Sequence, residues 1–142
     1  MTFFVDANVV IYSAVESPLR APCLAILEAV ARGRADGRTS TAVLEEIWHV
    51  ELSGRAGVID GLAQRAYTVF TPLLPVTDQA FRMALSLDAA QLGANDRLHV
   101  GTCLAHGIGV VLTSDRGFDE VTGIARIDPL DPAAIEGLVR SS

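Results

Sequence analysis

The stretch Thr2-Phe3-Phe4-Val5-Asp6-Ala7-Asn8 decides the fold. Phe3, Phe4 and Val5 follow one another with no polar interruption, which describes a strand buried on both faces, as in a parallel sheet covered by helices. The run ends on Asp6, with Asn8 two residues on, where the strand should give way to a helix. In open α/β sheets, ligands gather outside the carboxyl ends of strands, where connections diverge. A carboxylate in that crevice is costly unless a cation or hydrogen bonds compensate it. Val110-Val111-Leu112 repeats the pattern and runs into Thr113-Ser114-Asp115. In a parallel sheet, both strands deliver an acid to the same edge.

Outward from these two strands, helical and extended patterns alternate. Asn8 is the candidate cap of a helix through Val9, Val10, Tyr12 and Ser13, and Pro22 is placed to open a second helix with Cys23, Ile26, Leu27 and Val30 on one face. Residues 33–37 have loop composition and Arg38-Thr39-Ser40 suits a short strand, with Thr41 opening a helix through Trp48 to Leu52. A further helix is expected over Val58 to Phe70, then an extended piece at Leu73-Leu74-Pro75-Val76, then a helix capped by Thr77. Asp96 is expected to begin a helix ending at Gly107; Gly101, Thr102 and Ala105 are small enough to let it pack closely on the sheet. Ile124-Ala125-Arg126-Ile127 suits an edge strand, and Asp131 or Pro132 starts a last short helix. This order predicts an α/β chain with a central parallel sheet in three layers, one domain over residues 1–142.

Composition excludes several classes of function. Half of the residues are hydrophobic and a fifth are charged, as in a globular chain. No apolar run approaches the ~20 residues of a membrane helix, and no basic segment precedes Phe3, so neither a span nor a signal peptide is expected and the cytoplasm is the default. Cys23 and Cys103 stand apart, without metal-ligand spacing, and suit buried thiols. All eleven basic residues are Arg. The absence of Lys removes Walker-type nucleotide binding and Schiff-base chemistry. A net charge of −6 argues against a general nucleic-acid-coating surface, but cations held by carboxylates reverse a local potential.

Four acids, Asp6, Glu46, Asp96 and Asp115, are candidates to converge on a divalent cation. Taken singly, each has a plainer reading. Asp6 and Asp115 suit helix caps, Asp96 suits the positive end of a helix dipole, and Glu46 suits a solvated helix face. Adjacent helix residues point ~100° apart, and Glu46 borders the apolar side marked by Val43, Ile47 and Val50 more closely than Glu45, a rim acid. Carboxylates within ~4–6 Å raise one another's pKa, and a hard ion such as Mg²⁺ or Mn²⁺ relieves that repulsion. His49, His99 and His106 are read as core or surface residues, with helical pairs Glu46–His49 and Asp96–His99 available, and Trp48 as packing. Arg97 and Arg116 adjoin proposed ligands and are candidates for phosphate contact, or are solvated charges.

Taken together, "FFVDANVVIY", "TSTAVLEEIWHV", "NDRLHVGTCLAHGIGVVLTSDRGFDEV" and "IARI" resemble the PIN-domain ribonucleases, and within them the VapC-type toxins of toxin–antitoxin pairs. The resemblance runs nearly the full chain. It implies a PIN-like fold with Asp6, Glu46, Asp96 and Asp115 as the catalytic acids; Asp6, Asp96 and Asp115 would hold the metal and Glu46 would bind directly or through water. It further implies that Asn8 and Thr113 orient these ligands. The expected activity is a Mg²⁺- or Mn²⁺-dependent endoribonuclease that cleaves RNA phosphodiesters by metal-activated water. Expected partners are an RNA substrate, a cognate antitoxin and a second copy in a homodimer, with Val9, Ile11, Leu24 and Leu27 as candidate contact residues that suit the core equally well. Relatives often carry Lys near the site, where this chain has only Arg. Asp119 stays outside the core set. A dehalogenase-like phosphatase would want a second Asp where Asn8 stands, and a phosphorylated receiver would want Lys. The remaining alternative is an inactive PIN domain acting as a binding or scaffold module.

Overall fold

In the computed structural model, which describes residues 1–139, four short parallel strands form one sheet flanked by helices. The elements are β1 (Thr2–Val5), α1 (Ala7–Tyr12), α2 (Arg20–Ala31), β2 (Asp36–Arg38), α3 (Thr41–Ser53), α4 (Leu62–Phe70), α5 (Asp78–Leu85), α6 (Ala94–Ala105), β3 (Val110–Leu112), β4 (Ala125–Ile127) and α7 (Pro132–Glu136). The strand order is β2-β1-β3-β4. Phe4 pairs with Arg38 on one side and with Val111 on the other, so β1 is central. Successive strand residues face opposite sides of a sheet, and Phe3, Phe4 and Val5 are all 0% exposed, so both faces of β1 are covered. Connectivity accounts for this. The crossover from β1 to β2 runs one way across the sheet and that from β2 to β3 runs back, and right-handed crossovers of opposite direction lie on opposite faces.

The same reversal sets the crevice. β1 sends its chain toward β2, whereas its other neighbour, β3, feeds onward to β4, so connections diverge between the carboxyl ends of β1 and β3. That is the topological switch point of an open parallel sheet. Asp6 stands at the end of β1, and its N–H donates to Leu112 O at 3.1 Å, extending the β1–β3 ladder into the crevice.

Several expected boundaries moved. Asp6, not Asn8, caps α1, accepting from Ala7 N at 2.8 Å, which leaves Asn8 inside the helix. β2 lies two residues earlier than expected, and Ser40, placed in the strand by sequence, bridges to Leu74 and caps α3 by accepting from Val43 N at 3.2 Å. Gly37 belongs to β2 because a Cβ there would lie 2.7 Å from Val30 and 3.1 Å from the Phe3 ring; close approach, not a loop, demands the glycine. α2 begins at Arg20, which puts Pro22 in the first turn, where its missing N–H costs no helical bond. α4 begins only at Leu62, after Gly61 at φ +79°. α6 begins at Ala94, so Asp96 lies within its first turn, and the helix ends at Ala105.

The expectation that Gly101 lets α6 close on the sheet is corrected too. A Cβ at Gly101 would lie 2.2 Å from Ala80 O and 2.9 Å from Ala84 N, so the residue serves the contact with α5. Trp48 is not packing; it is 57% exposed. Cys23 and Cys103 are buried free thiols, pushed up to about 11 and about 12, chiefly by burial. No helix among the described residues is long and apolar enough to cross a membrane.

Candidate metal centre at the carboxyl edge

Three elements bring the first side chains of the group together. Asp6 comes from the end of β1, Glu46 from the second turn of α3, and His99 from the buried side of α6. One ligand atom from each lies within 4.8 Å of the others. His99 Nε2 is 2.6 Å from Glu46 Oε1 and 4.0 Å from Asp6 Oδ1. Asp6 and His99 are buried, while the Glu46 side chain is 25% exposed and closes the group toward solvent.

Asp6 is held by a small network at the strand ends. Its Oδ2 accepts from Thr113 Oγ1 at 2.8 Å and from Asn8 Nδ2 at 3.3 Å. Asn8 Nδ2 also donates to Thr113 Oγ1 at 2.9 Å, and Asn8 Oδ1 accepts from Ser114 N at 3.2 Å. Asn8 and Thr113 thus tie the turn after β3 to the turn after β1.

Electrostatics places Asp96 in the same neighbourhood. Burial pushes its carboxyl up to about 6; the like charges of Asp6, Asp115 and Glu46 add to the rise, and His99 opposes it. Asp6 is also raised, by burial first and by Glu46, against the lowering influence of His99, the Thr113 hydroxyl and the Ala7 amide. Burial lowers the His99 imidazole, but its bond to Glu46 and the charges of Asp6, Glu46 and Asp96 outweigh that and leave it raised. Asp115 stands exposed at the rim, where Oδ1 accepts from Gly117 N at 2.8 Å and caps the 3₁₀ turn Arg116–Glu120.

The donor set fits a hard divalent ion. Crowded carboxylates that burial and mutual repulsion hold toward the protonated form are stabilised by a cation, which takes oxygen ligands readily. Asp6 and Glu46 offer such oxygens within the 4.8 Å group; Asp96 and Asp115 fall outside it, and Asp115 is exposed.

The remaining expectations fare unevenly. Arg97 is pinned, its Nε donating to Leu92 O at 2.9 Å, which ties the start of α6 to the preceding loop. Arg116 is exposed, and its charge helps hold Asp128 low, after the Leu130 N–H bond and Arg126. Asp119 pairs with Arg126 at 2.6 Å, away from the acids. Val9 is core, whereas Leu24 is 42% exposed. Glu45 lines an apolar groove between α3 and α4 with Leu44, Trp48 and Tyr67, outside the acidic group. His99 is the residue that the sequence pattern undervalued. The helical pair available to it is Asp96, three residues away, but its hydrogen bond runs to Glu46, 53 residues earlier. The available signal was a His on the buried face of a helix whose first turn already carries an acid.

Comparison with known proteins gives the family and the fold. The PIN domain family matches residues 3–124. The chain is 30% identical over 127 residues to a VapC ribonuclease of Mycobacterium bovis and, equally, to ribonuclease VapC13 of Mycobacterium tuberculosis, matches that span 87% of this chain and 97% of each relative. Among solved structures, the fold resembles a chain of VapBC2 from Rickettsia felis bound to a promoter DNA fragment (TM-score 0.69, 16% identity, 90% of this chain and 98% of that one). It also resembles a chain of a toxin–antitoxin complex from Klebsiella pneumoniae (TM-score 0.64, 16% identity, 91% and 98%).

Proposed function

The chain belongs to the PIN-domain family, and from that membership we propose that it is a Mg²⁺- or Mn²⁺-dependent endoribonuclease, the toxin of a VapBC-like type II toxin–antitoxin pair. The observation that carries this reading is the meeting of Asp6, Glu46 and His99 side-chain atoms within 4.8 Å at the switch point of the sheet, with Asp96 raised by burial first and then by its acidic neighbours. The relatives' names as VapC ribonucleases support the substrate, and the likeness to VapBC chains supports an antitoxin partner.

In this reading Asp6, Asp96 and Asp115 hold the cation, with Glu46 as direct or water-mediated ligand. When bound, a divalent ion lowers the pKa of water and neutralises charge that builds on a phosphodiester. The chain's own residues do the rest. Asn8 and Thr113 fix the Asp6 carboxylate through Oδ2, while Oδ1 accepts from Ala7 N. Exposed Arg116 is the candidate for RNA phosphate contact; Arg97, held through Nε, presents only the remainder of its guanidinium. A single domain, acting in the cytoplasm as a homodimer, completes the proposal. The −6 net charge suits a basic antitoxin segment, because opposite charge steers association.

The test is RNA-end mapping after controlled expression of wild type and Asp96→Asn. New ends that appear with wild type and vanish with the variant support the nuclease. Identical profiles return the chain to a binding or scaffold module.

A further inference from the structure

The proposed function leaves His99 without a role, although it is the residue in closest contact with the acids. The ring is 1% exposed, and its centroid lies 5.7 Å from that of Phe4 in the central strand. It therefore cannot swing. Glu46 is its opposite, a side chain with several rotatable bonds, a quarter exposed, on the solvent side of the group. Such a side chain loses rotamer freedom when it is held in one place. Among the described residues, the hydrogen bond to His99 at 2.6 Å is the side-chain bond that holds it. An ionised carboxylate only accepts, so Nε2 carries the hydrogen. Among the described residues no hydrogen-bond partner meets the buried Nδ1.

A rigid donor, a mobile acceptor and a short bond between them point to a division of labour. We propose that His99 is a positioning residue: its Nε2–H clamps Glu46 against Asp6, so α3 contributes its carboxylate to the cation site without His99 itself binding the ion. This rests on the metal-dependent reading above. Partners that orient ligating side chains commonly contribute ~10–100-fold to metal affinity. Gln has the reach to place an amide N–H near the position of Nε2, whereas Asn falls short.

The experiment is a Mn²⁺ titration of the full chain, read as thermal stabilisation, on wild type, His99→Leu, His99→Gln, His99→Asn, Glu46→Ala and the double variant Glu46→Ala/His99→Leu. His99→Leu and His99→Asn should raise the Mn²⁺ midpoint about tenfold. His99→Gln should stay within about twofold of wild type, and the double variant should match Glu46→Ala, because residues acting through one contact are not additive. Should His99→Leu fail to fold, the Gln and Asn pair carries the same comparison. A His99→Leu midpoint equal to wild type overturns the clamp. So does a double variant that loses a further tenfold beyond Glu46→Ala, since His99 would then act on the ion without Glu46. If Mn²⁺ does not stabilise wild type at all, the metal site falls and the clamp with it. That result is distinct from a wild type that responds and a His99→Leu that responds equally.

Discussion

Thr113 Oγ1 donates to Asp6 Oδ2 at 2.8 Å, joining residues 107 positions apart at the ends of two neighbouring strands. The same oxygen accepts from Asn8 Nδ2 at 2.9 Å and from Asp115 N at 3.1 Å, so its one donor and two acceptor sites are all used. Thr113 is fully buried. A single hydroxyl thus sets the relation between the turn after β1 and the turn after β3, where the acids gather.

Thr113→Val keeps the shape and removes the hydroxyl, leaving Asp6, Asn8 and the Asp115 N–H each short of a partner. It should cost about 1–3 kcal/mol, the usual penalty for buried polar groups left unmatched. Thr113→Ser, which restores the oxygen, should recover most of that. Urea denaturation of the three proteins decides it; a valine variant as stable as wild type would show that the network contributes nothing.

Asp96 predicts an unusual pH dependence. Its folded pKa, about 6, lies above its ordinary 3.8, so the folded state binds the proton more tightly than the unfolded chain does. The stability from that proton is present in full below about pH 4 and is lost as pH rises through about 6. Asp6 and His99, both raised, act with the same sign. In chelator, the urea midpoint should therefore fall between pH 4 and 7, and Asp96→Asn should flatten the fall. Saturating Mn²⁺ should remove it, because the cation competes with these protons. A midpoint that rises over that range without metal contradicts the assignment.

Gly101 predicts a backbone effect far from chemistry. A methyl there meets Ala80 O at 2.2 Å, a contact that only separation of α5 from α6 relieves. Gly101→Ala should destabilise by about 1–3 kcal/mol despite its better helix propensity, as overpacking does. Gly54→Ala probes a different origin of glycine use, since among the described residues its Cβ would meet nothing within 4 Å and its φ of +70° opposes a side chain. Thermal unfolding of both separates crowding from backbone strain.

What the sequence made legible follows from the range of each interaction. β1 and β3 were readable because apolar runs ending in acids declare burial and edge together. Thr77 is readable as a cap, and Asp131-Pro132 as a helix start, because a cap acts within three residues. β2 was placed late because Asp36-Gly37-Arg38 has no apolar pattern, and Gly37 is explained only by Val30 and Phe3. Asn8 was mistaken for a cap because Asp6 does that work itself. The bond from His99 to Glu46 was invisible for the strongest reason: nothing local distinguishes a histidine facing a distant helix from one filling the core.

The most direct measurement is a crystal of the protein soaked in Mn²⁺, with diffraction recorded at the manganese absorption edge. An anomalous peak should appear among Asp6, Glu46 and Asp96, with carboxylate oxygens within about 2.0–2.6 Å. A saturated soak with no peak there, or with ions only on exposed acids elsewhere, would contradict a metal centre at this edge of the sheet.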